Sequence, residues 1–252
     1  MMLKVPLATQ DVREGRTVLV SGGSGGIGRA LCLAFAQAGY WVGVHYLHRR
    51  PAAEATLALL EHAGGQGALY QADVRSSDDV QAMLHAIEAQ RGRLDILLCN
   101  AGIASKHLLM TCPEDAWQEI IDTNLTGTYR CMTVAAQGMS TQGGGSIVVI
   151  GSYAGLQGTA GQVAYAASKA GLIGLVKTAA REWGSYNIRV NLVCPGWQQT
   201  GLAGDSFPTG ERLGDHVLGR VSNLVDVSRT ICHLAQLSDM SGQVWNLDSR
   251  IL

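Results

Sequence analysis

A chain of 252 residues that is 47% hydrophobic can bury a full core, and at this length one large α/β domain is as reasonable as two small ones. Its 19 basic and 20 acidic residues leave a formal net charge of −1 with no block of like charge, which excludes the electrostatic footprint of a nucleic-acid binder. No run approaches the roughly 18 uninterrupted apolar residues of a membrane span, and the opening MMLKVPLATQDVREG lacks the apolar centre of a secretory signal, so a cytoplasmic protein without a membrane partner is expected.

Residues 1–15 read as an N-terminal extension ahead of one domain spanning 16–252. The first strand is Thr17–Ser21, followed at once by SGGSGG, a composition that by itself suits a flexible linker. Its flanks say otherwise. Ile27, Ala30, Leu31, Ala34, Phe35 and Ala38 recur at helical spacing until Gly39, so the glycines occupy a strand-to-helix turn. Such a turn gathers unpaired backbone N–H groups and the positive end of a helix dipole where a missing Cβ lets an anion approach, which is how a nucleotide pyrophosphate is held. The second strand, Trp41–Tyr46, runs into His45-Tyr46-Leu47-His48-Arg49-Arg50-Pro51, with Pro51 read as the first residue of the next helix. Proteins that prefer NAD place an acid at the end of this strand for the ribose 2′-hydroxyl. Here there is none, and Arg49 and Arg50 precede a helix N-terminus, where a cation is disfavoured unless an anion joins it. A 2′-phosphate fits that place, so NADP(H) is favoured and NAD(H) stays open, because Gly25 and Leu47 are neutral.

Further strands are expected at Ala68–Gln71, Leu94–Cys99, Ser146–Ile150, Ile188–Val193 and Gln243–Leu247, alternating with helical segments. Runs such as DILLC and IVVI are apolar on both faces, as a parallel sheet covered on both sides requires. The fold class is therefore α/β: a doubly wound Rossmann-type domain with a seven-stranded, mostly parallel sheet. Gly143–Gly145 reads as a turn, and 195–220, rich in Gly, Pro and polar residues, as a substrate loop or lid. The six cysteines (Cys32, Cys99, Cys112, Cys131, Cys194 and Cys232) stand singly and read as buried thiols; His45 and His48 have a ligand-like spacing without supporting ligands, so no metal site is expected.

In such sheets ligands bind at the strand carboxyl ends. Tyr165 and Lys169, four apart in the helical segment Gln162–Trp183, share a face. A phenol with an ordinary pKa near 10 must gain about 4 kcal/mol to serve near neutrality, and a lysine charge at ~4 Å with an effective dielectric of ~20 supplies about that. Ser152 follows the strand SIVVIG, and Asn100-Ala101-Gly102 closes LDILLC.

Together these motifs resemble the short-chain dehydrogenase/reductase family, from about Arg16 onward. The family's Thr-Gly-x-x-x-Gly-x-Gly appears as Ser21, Gly22, Gly26 and Gly28, its Asn-Asn-Ala-Gly as Cys99-Asn100-Ala101-Gly102, and its Pro-Gly-x-x-x-Thr as Pro195, Gly196 and Thr200. The resemblance implies a catalytic tetrad of Asn124, Ser152, Tyr165 and Lys169: Tyr165 the general acid, Ser152 holding the carbonyl, Lys169 lowering the phenol pKa and gripping the ribose, Asn124 supporting a water relay. It implies a cofactor set of Ser21, Gly22, Ser24, Gly26, Ile27, Gly28, Tyr46, His48, Arg49, Arg50, Asp73, Val74, Asn100, Ala101, Gly102, Tyr165, Lys169, Pro195, Gly196 and Thr200. The stretch GSYAGLQGTAGQVAYAASKAGLIGL and the later LGR are most similar to 3-oxoacyl-acyl carrier protein reductases, implying NADP(H)-dependent reduction of a 3-oxoacyl thioester in fatty acid biosynthesis. A carbonyl, quinone or hydroxysteroid dehydrogenase is the alternative within the family, and a non-catalytic dinucleotide-binding regulator the alternative outside it. An acyl carrier protein partner stays open, because the arginines of similar reductases that dock it are replaced here by Gly143 and Tyr186. A homotetramer or homodimer is implied, with Met132, Val134, Leu175 and Val176 either on the exposed helix faces that would pair between subunits or facing their own sheet. The family's Asp-Gly-Gly ending is replaced by Leu247-Asp248-Ser249-Arg250.

Overall fold

In a computed structural model of the protein, residues 15–200 and 213–251 are described. The turn-and-helix logic of the sequence places β1 at Thr17–Val20, α1 at Gly26–Gln37, β2 at Trp41–Tyr46, α2 at Arg50–His62, β3 at Gln66–Gln71 and α3 at Ser77–Arg91. Then come β4 at Ile96–Cys99, α4 at Glu114–Ile121, α5 at Gly127–Thr141, β5 at Gly145–Ile150, a short α6 at Ala154–Gln157 and α7 at Val163–Trp183. The last elements are β6 at Ile188–Cys194, α8 at Leu224–Leu234 and β7 at Val244–Asn246. The strands form one sheet in the order β3-β2-β1-β4-β5-β6-β7, and every pairing is parallel.

Strand alternation splits the apolar residues between two layers. Leu19, Leu97 and Ile147 join Val80, Leu84 and Ile87 of α3, Met132 of α5 and Val176 of α7 on one side. Val18, Val20 and Val148 join Leu31 and Phe35 of α1, Leu60 of α2 and Ile231 of α8 on the other. Each such side chain contributes roughly 1.5–3 kcal/mol when fully buried, which is why both faces of the central strands read as apolar. Where strand order reverses, between β1 and β4, the carboxyl ends open a crevice.

Several expectations need correction. The second helix begins at Arg50, one residue before Pro51. β3 starts earlier than its apolar signal, because Gly67 lies against β2, where a Cβ would stand 2.3 Å from the Val42 carbonyl oxygen. Cys112 is partly exposed, unlike the other five cysteines. Of the two placements left open for Met132, Val134, Leu175 and Val176, the structure shows the own-sheet one: Met132 and Val176 are buried in the core, and Val134 and Leu175 pack against it. Among the described residues no helix is long and apolar enough to cross a membrane.

Candidate active site

The turn after β1 is held by backbone and small polar groups. Gly22 has φ 67°, in the left-handed region that favours glycine, and a Cβ on Gly28 would stand 2.1 Å from the Gly22 carbonyl oxygen. The Ser21 hydroxyl donates to the Leu98 carbonyl at 3.1 Å and accepts from the N–H groups of Asn100 and Ala101, each at 2.9 Å, tying β1 to β4. The Asn100 amide donates to the carbonyls of Ser21 and Gly22 at 3.0 and 3.2 Å. Neither α1 nor α2 has a side-chain cap or an acid in its first turn, so their N-terminal donors are open to an anion.

His45, read in the sequence only as one half of a ligand-like spacing, supports this turn from below. Its buried ring accepts from Gly22 N–H on Nδ1 at 2.9 Å and faces the Ala72 carbonyl with Nε2 at 3.0 Å. A backbone N–H can only donate and a carbonyl can only accept, so the ring is the neutral Nε2–H tautomer. Burial lowers its pKa, against smaller opposing contributions from the hydrogen bond to the Ala72 carbonyl and from Asp73.

Two clefts meet at Gly102. The first, beside the turn, is lined by Gly22, Ser24, Tyr46, His48, Arg49, Asp73, Val74 and Ala101 from the expected cofactor set. Arg75, which the sequence reading passed over, also lines it and grips Asp73 through Nε at 3.0 Å and Nη2 at 2.7 Å, holding that carboxyl below its ordinary pKa. Its signal was its place two residues after Asp73 in ADVRSS. Arg50 donates from Nε to Glu54 at 2.9 Å on the exposed face of α2 and interacts with Tyr46, which lines the cleft, without lining it itself. Ser21, Gly26 and Gly28 line neither cleft and act from within the turn, Gly26 lying against Thr200.

The second cleft, with an empty volume of about 840 Å³ including its open mouth, brings Ser152, Tyr165 and Lys169 together with Ile27, Asn100, Pro195, Gly196 and Thr200. Trp197 forms part of its wall; 201–212, the centre of the expected lid, lie outside the described residues. Lys169 is buried, its Nζ donating to the Ile150 carbonyl at 2.7 Å and standing 5.7 Å from the centre of the Tyr165 ring. Burial lowers the Lys169 pKa to about 8. The Tyr165 phenol is pushed up by burial, with hydrogen bonding to Ser152 acting in the opposite direction. In this arrangement the Lys169 ammonium donates to the Ile150 carbonyl while remaining within cation–π range of the Tyr165 ring.

Asn124 lines neither cleft. It is fully buried in a π turn, Asp122–Thr126, between α4 and α5. Its amide donates to the Ile103 carbonyl at 2.9 Å and to Ser168 Oγ at 3.1 Å, and its Oδ1 accepts from Ile103 N–H at 2.8 Å. The side chain thus fixes the loop after Gly102 against α7.

The residues fit a bound nicotinamide dinucleotide: a glycine cradle with no room for a Cβ, open helix N-termini, and a polar cleft continuous with a buried tyrosine and lysine. A parallel sheet with these features at one switch point defines a nucleotide-dependent oxidoreductase of Rossmann type. The family model described as short chain dehydrogenase matches residues 16–210, and the chain belongs to that family. It is 39% identical over 223 residues to 3-oxoacyl-[acyl-carrier-protein] reductase FabG of Staphylococcus aureus, covering 87% of this chain and 90% of that protein. It is 36% identical over 236 residues to the 3-oxoacyl-[acyl-carrier-protein] reductase of Synechocystis, covering 92% and 95%. A crystal structure of a short-chain type dehydrogenase/reductase from Mycobacterium marinum superposes with a TM-score of 0.89 at 32% identity, covering 94% and 95%.

Proposed function

We propose that the protein reduces a 3-oxoacyl thioester to the secondary alcohol with NADPH. The observation that carries this reading is the convergence of Ser152, Tyr165 and Lys169 in a cleft continuous, at Gly102, with the one below the glycine turn. When bound, the nicotinamide supplies the hydride. Ser152 orients the ketone oxygen, Tyr165 Oη delivers the proton to it, Lys169 stabilises the resulting phenolate, and Asn124 holds the loop that carries Gly102. Arg49 is the cation assigned to the 2′-phosphate, since Arg75 is engaged by Asp73 and Arg50 by Glu54. An acyl carrier protein is the proposed partner, supported by the similarity to reductases whose names specify a carrier-bound 3-oxoacyl substrate. The chain is proposed to act as a single domain and as a homotetramer, to be checked by light scattering.

The test is NADPH oxidation against acetoacetyl thioesters, free ketones, quinones and steroids. Turnover of 3-oxoacyl thioesters, with kcat/KM favouring NADPH over NADH by at least ~10-fold, about 1.4 kcal/mol, is the expected result. No turnover of any 3-oxoacyl thioester overturns the substrate, and equal use of NADH overturns the cofactor.

A further inference from the structure

The wall of the catalytic cleft carries a buried ion pair that reduction of a ketone does not itself require. Arg250 lies where this chain departs from the family ending, and its side chain is 8% exposed against 0% for its partner Asp248. Asp248 Oδ2 accepts from Arg250 Nε at 2.8 Å and from Nη2, while Oδ1 accepts from the Arg250 backbone N–H at 2.9 Å and from the Asn246 amide at 3.2 Å. The guanidinium carbon stands 3.7 Å from the centre of the Tyr153 ring. Tyr153 directly follows Ser152, and both line the cleft together with Arg250 and Tyr165. Asp248 is packed from behind by Gly196, where a Cβ would stand 2.5 Å from the Asp248 Cβ.

An ion pair taken out of water rarely stabilises a fold more than apolar residues of the same shape would, so its presence in this wall calls for another use. A guanidinium has five N–H donors. Asp248 engages those of Nε and Nη2, and among the described residues Nη1 donates to none. Arg250 and Lys169 are cations and Asp248 an anion, so this part of the cleft has room for one further negative charge.

Resting on the ketone-reductase reading above, we propose that Arg250 is a specificity residue that receives a carboxylate on the acyl portion of the substrate, so that the cleft selects carboxylated 3-oxo substrates over plain alkyl ones. Asp248 and Tyr153 hold the guanidinium flat and leave its remaining edge to the ligand.

The experiment compares kcat/KM, with NADPH, for the 3-oxohexanoyl thioester of N-acetylcysteamine and for the same thioester with a carboxylate on its terminal methyl, which lies too far from the ketone for β-keto-acid decarboxylation. The unmodified protein should prefer the carboxylated substrate by at least ~10-fold. Arg250→Met should abolish that preference mainly through KM, and Arg250→Lys should keep part of it. Because Arg250→Met leaves Asp248 buried without its partner, the double variant Asp248→Asn/Arg250→Met, which removes both charges, is measured beside it. A wild-type preference within twofold, or one unchanged in both Met variants, overturns the proposal. If neither thioester is reduced, the functional reading fails separately, and calorimetric titration of glutarate into the cofactor complex still decides: binding lost in the double variant supports the role of Arg250, and equal or absent binding in both proteins overturns it.

Discussion

The two clefts that meet at Gly102 are built by opposite means. Beside the glycine turn the walls are backbone, a glycine contact with no room for a methyl, and charges that stay in water, such as Arg75 at 40% exposure. Around Tyr165 they are largely side chains, and the charged ones among them, Lys169 and Arg250, are each tied to the fold by a particular hydrogen bond. The difference teaches where each half is vulnerable. The first should tolerate changes of exposed side chains but not added atoms on its glycines, and the second should respond to the loss of single polar atoms.

The largest effect is expected from Tyr165→Phe, which removes only one oxygen: kcat should fall by about three orders of magnitude while NADPH affinity, measured by fluorescence titration, stays within a few-fold. Retention of more than a tenth of normal turnover would break the contrast on the catalytic side. Next comes Gly28→Ala on the other side, where the new Cβ would meet the Gly22 carbonyl oxygen. NADPH binding should weaken by about two orders of magnitude with Tyr165 chemistry untouched, and affinity equal to that of the unmodified protein would show that the turn opens easily. Arg49→Ala should shrink the NADPH-over-NADH ratio by about tenfold, whereas Arg50→Ala, an exposed partner of Glu54, should leave it within about twofold. Equal losses in the two variants would show that both arginines reach the phosphate.

The smallest effect concerns acid. The fold needs His45 neutral, and burial lowers its pKa below the ordinary 6.5. The unfolded chain therefore takes up a proton that the folded one resists: the stabilising contribution is complete above pH 6.5 and is lost as pH falls through and below it. Protonating Nδ1 also ends its bond from Gly22. The urea midpoint of unfolding should fall as pH drops through and below 6.5, and His45→Asn, whose amide can accept from one side and donate to the other, should flatten that profile. A profile with the same acid limb in the variant would assign the effect to another group.

Much of this was legible in the sequence because it rests on local pattern. Strand apolarity, helical spacing and the strand–glycine–helix order define the sheet, and Ser152, Tyr165 and Lys169 converge because each follows a strand or shares a helix face. What was not legible depended on tertiary partners. Arg49 and Arg50 are identical letters in sequence, yet Glu54, one turn on, pairs only with the second. The bond from Lys169 Nζ to the Ile150 carbonyl, which joins residues 19 apart, could not be read from the Tyr-x-x-x-Lys spacing. Met132 and Val176 lie on helices whose rotation a sequence pattern leaves ambiguous, and the sheet claims them. Arg250 was visible only as a departure from the family ending; its stacking on Tyr153 needed the fold.

The π turn at Asp122–Thr126 has its own consequence. There the Gly127 N–H reaches back five residues to the Asp122 carbonyl, so α4 and α5 are one rod carrying a surplus residue. Deleting that residue would restore regular winding and rotate one half of the rod against the other by roughly 100°. The shortened rod should be the better helix and the worse enzyme, since Asn124 would swing away from Ile103 and Ser168. Local imperfection is here a spacer: a single added step in the chain sets the angle at which two ordinary helices present different faces to the same loop.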